Sequence, residues 1–212
     1  MDAVVVLRTL CVLLHVLALA IGLGIVLRED WRLLNSRTFN IEGLSDSARL
    51  VGGALAVLWV TGLALIAIDT SFEFSQLMAN PKLVAKITVV VLLTVNGVLL
   101  HRWALPILNG QRAARAEDVT PLALVGALSG SSWLYAAFLG VARPFAEVWH
   151  YADFMAYFGL MLVGSTLFAL YYVRPRMSRL IQEHHRSVRS LPAPGQEVNV
   201  PSVDQEWIEL QH

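Results

Sequence analysis

The chain alternates long apolar blocks with short polar connections. The blocks run from Val4 to Leu27, Val51 to Asp69, Leu83 to Leu108, Leu122 to Val141 and Ala152 to Val173. A helix needs about 20 apolar residues to cross the hydrocarbon core of a bilayer. No block shows the two-residue alternation of a strand, so helices are the expected spanning structure. The pattern predicts an all-α, polytopic membrane bundle with five transmembrane helices.

The composition agrees with a membrane protein. Hydrophobic residues make up 56% of the 212 residues, charged residues only 15%, and the mean hydropathy is +0.59. A soluble domain carries about 25% charged residues. The formal net charge is zero, so nothing suggests a nucleic-acid partner. Cys11 is the single cysteine, which excludes an internal disulfide.

Basic residues predict the orientation of the bundle. Of the 16 Lys and Arg residues, all but four lie on one side of the predicted spans. The exceptions are Arg8, Lys82, Lys86 and Arg143. The positive-inside rule therefore places the N-terminus outside and the C-terminus in the cytoplasm. Residues 1–180 form the predicted bundle, and residues 181–212, polar and rich in proline, form a flexible cytoplasmic tail.

The first block has an alternative interpretation as a cleaved signal peptide. The sequence "ALA" at residues 18–20 resembles a cleavage site. Cleavage there would leave an arginine-rich segment outside, against the charge bias, and His15 interrupts the would-be hydrophobic region. We therefore expect a true transmembrane helix.

Ionisable residues inside the predicted spans are few. They are Arg8, His15, Asp69, Lys86 and His101. Such residues are costly in a bilayer and are functional candidates. In the first helix, one face carries Arg8, Cys11, His15, Ala18 and Gly22, and in the third a similar face carries Thr94, Gly97 and His101.

This pattern is typical of a b-type haem site. An intramembrane histidine can ligate iron, and small residues let a porphyrin approach the backbone. His15 is the expected ligand, with Arg8 and Lys86 near the outer end as propionate partners. The alternative is structural: Arg8 or Lys86 pairs with Asp69, His15 hydrogen-bonds across the bundle, and the small residues are helix contacts.

His15 and His101 differ in expected depth by about 10 Å along the membrane normal. That difference disfavours a shared iron, so His101 is expected to serve a second haem or a proton path. Met161 is a weak alternative ligand at the depth of His15, where packing is the commoner role of methionine.

A second group of metal-binding residue types lies at the outer surface, in "RPFAEVWHYADF". Glu147, His150 and Asp153 are three residues apart, and one face of a short helix would carry them all. The spacing suits a weak divalent-metal site. The neighbouring aromatic residues equally predict an interfacial belt. His184 and His185 are assigned no site.

Two segments, "LLHVLALAIGLGIVLREDW" and "NPKLVAKITVVVLLTVNGVLLHRW", resemble the CopD/HemJ-like family of small bacterial membrane bundles. One member group is the membrane-bound protoporphyrinogen oxidase, which is associated with haem b. The resemblance implies that His15 matches the first-helix histidine and Lys86 the lysine that opens a later helix. It further implies a bacterial inner-membrane location.

The leading hypothesis is a haem b protein of the membrane with a redox or electron-transfer role, including porphyrin oxidation. One alternative is a copper or small-solute transporter in which His15, His101 and the Glu147/His150 group form stepping sites. Another is a non-catalytic accessory subunit of a larger membrane complex. Gly126 and Gly130 form a small-xxx-small motif, which predicts close packing within the bundle or in a homo-oligomer.

Overall fold

The structure is a computed structural model that describes residues 2–35, 41–108, 112 and 115–179. The predicted tail, with His184 and His185, lies outside the described residues. Seven α-helices occur in the described part of the chain. They are α1 (Ala3–Asn35), α2 (Ile41–Thr70), α3 (Phe74–Met78), α4 (Pro81–Leu99), α5 (Leu105–Leu108), α6 (Val119–Val141) and α7 (Tyr151–Phe168). The described residues contain no strand, as the sequence predicts.

The prediction of five spanning helices is confirmed. Five helices are long and apolar enough to cross a membrane: Ala3–Asn35, Gly43–Thr70, Pro81–Ile107, Val119–Val141 and Tyr151–Arg179. The orientation in the membrane stays a prediction. For description, the outer end is the end that holds the N-terminus of α1, and the inner end holds its C-terminus.

The first two helices extend further at the inner end than their apolar blocks indicate. A polar contact explains the extension, because Arg28 and Glu29 of α1 both bond Ser47 of α2 over 2.8 Å. The Arg28 guanidinium also donates to the Glu29 carboxylate over 2.8 Å. Charged residues thus prolong a helix where the adjacent helix supplies their partner.

The main core lies between α6, α7 and the outer part of α4. Its largest buried side chains are Trp133, Tyr135 and Phe154, each at most 1% exposed. Phe138 stacks on Tyr135, and Trp149 packs edge-on against Phe154. The helix pair α1–α2 covers this core through Ala18, Ala54 and Leu58, and most of the α1 surface remains exposed.

Two spanning helices change to π-helix at the inner end. The segment Leu100–Ala104 continues α4, and Ala169–Val173 continues α7. Pro106 follows the first segment, and its ring cannot be accommodated in a regular α-helix without displacing the preceding turn. Single π turns of this kind frequently occur at functional sites. Both segments border the cavity described below.

Candidate functional site

His15 lies on the face of α1 that packs against α2. Its Nδ1 atom is 2.8 Å from the hydroxyl of Thr61. The ring lies over Gly62, where an added Cβ would be 3.5 Å from His15 Cε1. The predicted hydrogen bond of His15 across the bundle is therefore present.

The bond to Thr61 sets the tautomer of His15. The Thr61 hydroxyl is 2.7 Å from the carbonyl of Val57, which can only accept, so this hydroxyl donates there. Its oxygen then accepts from Nδ1–H of His15, and the lone pair of His15 lies on Nε2. Histidines that ligate metals are oriented in the same way by a partner on the other nitrogen.

The small residues beside His15 do not leave the space that the sequence pattern suggests. A Cβ on Gly22 would overlap the indole of Trp133, a side chain of α6. Ala18 is buried in the same core cluster. The expectation of open space for a flat ligand at Gly22 is wrong, because the flat group that occupies it is a side chain of this chain.

The two predicted propionate partners have different surroundings. Arg8 forms an ion pair with Asp69, from its Nε to Oδ1 over 2.8 Å and from Nη2 to Oδ2 over 3.3 Å. Lys86 is half-buried and lies within electrostatic range of His15. The ion pair of Arg8 with Asp69 is the structural alternative predicted from the sequence. Lys86 forms no ion pair within the described residues.

A cavity of about 740 Å³ lies between the inner halves of the spanning helices. This volume is in the range of sites for small organic ligands and cofactors. Gly52, Gly97 and Gly126 line it from α2, α4 and α6, and a Cβ added at any of them would meet no atom within 4 Å. Three helices therefore present bare backbone to the same space.

Two polar groups in this cavity lack partners. The carboxylate of Asp30 forms no hydrogen bond or ion pair within the described residues, and its Oδ2 is 3.3 Å from the position of a Cβ on Gly130. Asn96 is only 2% exposed, and its amide donates to the Val125 carbonyl over 3.4 Å while Oδ1 has no partner. Buried polar atoms are normally paired, so the unpartnered Oδ1 of Asn96 points to a ligand, and the partly buried carboxylate of Asp30 borders the same cavity.

Sequence reasoning missed both of these residues. Asp30 follows the apolar block that ends at Leu27, so the hydropathy pattern places it outside the span. Asn96 is uncharged and therefore does not stand out as an ionisable residue within a span. The usable signal was the polar Asn96 next to Gly97 within an otherwise apolar segment.

His101 lies in the π segment of α4 and lines the cavity. Its Nδ1 donates to the carbonyl of Gly97 over 3.0 Å, because a carbonyl oxygen can only accept. The neutral ring therefore carries its lone pair on Nε2. His15 is not among the residues that line this cavity, so the two histidines have different surroundings, as their predicted depths suggest.

The predicted metal-binding group at the outer surface is arranged differently from the expectation. Residues 143–148 form turns, and α7 begins only at Tyr151, so no short helix carries Glu147 with His150. Asp153 accepts a hydrogen bond from the backbone N–H of His150 over 2.8 Å and thereby caps α7. The described residues contain no cluster of three or more His, Cys, Asp or Glu side chains that can hold a metal ion.

Two methionines lie close to the sites discussed. Met161 packs against the main core, consistent with the packing role expected of it. Met177, in the inner continuation of α7, is 3% exposed and borders the cavity that His101 lines.

Comparison of the chain with protein-family models, with curated proteins and with solved structures gave no match. The resemblance to the CopD/HemJ-like family therefore stays a prediction. The site has to be interpreted from its own geometry.

Proposed function

We propose that this membrane bundle binds a b-type haem in the inner cavity and has an electron-transfer role. The observation that carries the proposal is the cavity of about 740 Å³, into which three helices present glycine backbone beside the imidazole of His101. A porphyrin needs space beside a nitrogen ligand, and the volume of the cavity and the imidazole of His101 on its lining support the proposal.

The residues of the cavity fit the chemistry of a haem group. His101 would hold the iron through Nε2, because its Nδ1 is already bonded to the Gly97 carbonyl. Gly52, Gly97 and Gly126 admit a ring close to the backbone. Arg32 borders the cavity with a half-exposed side chain and would hold a propionate. When bound, the haem supplies one-electron redox chemistry.

The unpaired polar groups suit a redox site. Reduction adds a negative charge in a low-dielectric environment, and a nearby acid that takes up a proton offsets that charge. Asp30 is placed for this role because its carboxylate has no other partner within the described residues. His15 remains a second candidate ligand through its free Nε2, with Lys86 close to it.

A second candidate is a metal-free tetrapyrrole bound as substrate rather than cofactor. The Asn96 Oδ1 atom and the Asp30 carboxylate favour it, since both accept hydrogen bonds and neither has a donor within the described residues. Pyrrole N–H groups are donors of the required kind. Binding of fluorescent protoporphyrin without spectral change on reduction would identify this case.

The test is a visible spectrum of the detergent-purified chain, expressed with ample haem supply, before and after dithionite reduction. The wild type is expected to show a Soret band and a reduced α band. His101→Ala should abolish or shift both bands, and His15→Ala, which changes a histidine outside the cavity, is the matched control.

Three results distinguish a haem in the cavity, a haem at the α1–α2 face and the absence of haem. Loss of the bands in His101→Ala alone supports the cavity site. Loss in His15→Ala alone moves the haem to the α1–α2 face and contradicts the proposed position. A colourless wild type contradicts haem binding altogether.

A further inference from the structure

Three cations lie close together at the outer end of the bundle. Lys82 and Lys86 are four residues apart in the first turns of α4, so they share one face of that helix. Arg143 follows α6 in the outer turn. Ala85 and Ala142, next to these cations in sequence, are 0% and 1% exposed in the same core cluster, which holds the turn against α4.

This outer cation cluster, Lys82, Lys86 and Arg143, lacks a counter-charge. Within the described residues none of the three forms an ion pair. Lys82 lies within electrostatic range of both other cations, and Lys86 within range of Arg143. The positive end of the α4 dipole adds to their field.

The nearby carboxylates are engaged or exposed. Asp153 caps α7 through the backbone N–H of His150. Asp69 pairs with Arg8 at the end of α2. Glu147 is exposed in the turn after Arg143 and forms no ion pair within the part of the chain that the structure describes. The repulsion among the three cations is therefore uncompensated, which is costly for a helix end in a membrane.

The cluster lies at the end of the spanning helix that begins at Pro81, next to aromatic residues. Lys82 is only 9% exposed, so most of its side chain is covered by neighbouring residues of the bundle. The Tyr151 hydroxyl is 3.3 Å from that of Thr88, which lies two residues after Lys86 in α4. Trp149 precedes α7 at the same end. Tyrosine and tryptophan in such positions mark the membrane–water interface.

We propose that Lys82, Lys86 and Arg143 form a binding site for a phosphate group, as carried by the headgroup of an anionic phospholipid or by a soluble phosphate compound. The arginine fork binds phosphate oxygens in pairs, and lysine ammonium groups add point charges. The site is separate from the inner cavity and does not depend on haem binding.

The first experiment measures lipid retention by native mass spectrometry. The delipidated full chain receives phosphatidylglycerol or phosphatidylcholine in equal amounts. The wild type should retain the anionic lipid, and the double variant Lys82→Gln with Arg143→Gln should bind it about tenfold more weakly, since interfacial cations contribute additively. The matched control, Arg49→Gln with Arg102→Gln, removes two exposed cations at the inner end.

The second experiment separates a lipid from a soluble source. Thermal unfolding in neutral detergent is followed in inorganic phosphate and in chloride of equal ionic strength. The site is assigned to a soluble phosphate compound if two results occur together. Phosphate raises the unfolding midpoint of the wild type but not that of Lys82→Gln with Arg143→Gln, and the wild type shows no lipid preference. Lipid preference without this rise assigns it to the phospholipid.

Two results would overturn the proposal. One is equal retention of both lipids together with no phosphate effect. The other is an equal loss of binding in the control variant. Misfolding is controlled in the same experiment, because removal of uncompensated charge should leave the ligand-free midpoint of the double variant unchanged or raise it. A lower ligand-free midpoint would show that the cations have partners, and it would contradict the proposal.

Discussion

The two halves of the bundle are built differently around their two histidines. In the outer half, His15 bonds Thr61 and Arg8 bonds Asp69, and towards the middle of the bundle the indole of Trp133 occupies the space beside Gly22. In the inner half, three helices present glycines to a cavity of about 740 Å³, and Asp30 lacks a partner within the described residues.

The difference distinguishes glycines that serve helix packing from glycines that border the candidate binding cavity. Gly22 admits the indole of Trp133 and Gly62 lies against His15, so these two glycines serve the close approach of helices. Gly52, Gly97 and Gly126 border the cavity with open space at Cβ, so contact with a neighbouring helix does not explain them. An unpaired polar group buried in a bundle costs stability, and proteins retain such groups at functional sites.

The largest stability effect is expected from closing the space beside Trp133. Gly22→Leu should destabilise the bundle by about 2 kcal/mol or more, because overpacking forces Trp133 out of its buried position. Gly24→Leu is the matched control, since a Cβ there meets no atom within 4 Å and both changes gain the same helix propensity. Unfolding in mixed detergent micelles measures both. Equal midpoints would show that Trp133 does not pack on α1.

A smaller loss is expected from Tyr135 in the main core. Its hydroxyl donates to the carbonyl of Phe154 at 2.5 Å, in a buried position. Tyr135→Phe should lower stability by about 1 to 2 kcal/mol, because a buried hydrogen bond is lost. Tyr157→Phe is the control from the same aromatic cluster, where the exposed hydroxyl makes no hydrogen bond within the described residues. A larger loss in the control would contradict this packing.

In the inner half, substitution of an unpaired polar residue should raise the stability of the bundle. Asp30→Asn should raise stability by about 1 kcal/mol, because it removes an unpaired carboxylate from a largely apolar site. The same change should weaken the pH dependence of the haem midpoint potential. Asp46→Asn, at an exposed position, is the control for loss of a carboxylate near the inner end. A destabilised Asp30→Asn would mean that this carboxylate has a partner.

The smallest effect is expected at the Arg8–Asp69 pair. Both side chains are about half exposed and lie near the outer ends of α1 and α2, where water screens an ion pair, so the pair contributes little to stability. Arg8→Gln should leave the unfolding midpoint and the haem absorbance close to those of the wild type. A marked fall in absorbance would restore Arg8 as a propionate partner and move the haem to the outer half.

The sequence predicts the five spans because apolar runs of sufficient length leave few alternatives in a bilayer. It misplaces the inner end of α1, because hydropathy falls at Arg28 while the helix continues on contacts with Ser47 of α2. A partner on another helix is invisible to a local pattern.

The candidate site is predictable only in part. The sequence singles out His15 and His101, since histidine within an apolar block is rare. It cannot show that Trp133, far along the chain, fills the space beside Gly22, or that Gly52, Gly97 and Gly126 from three helices face one cavity. Both facts depend on helix rotation, which tertiary packing decides.

The most direct test of the cavity site is a haem titration of the purified chain, followed at the Soret band. Gly52 and Gly53 are adjacent on α2 and both have open space at Cβ, but only Gly52 lines the cavity. Gly52→Leu should therefore weaken haem binding about tenfold or more, because the added side chain occupies the space of the ring. Gly53→Leu should bind haem as the wild type does. Equal affinities of the two variants, or a wild type that binds no haem, would contradict the account.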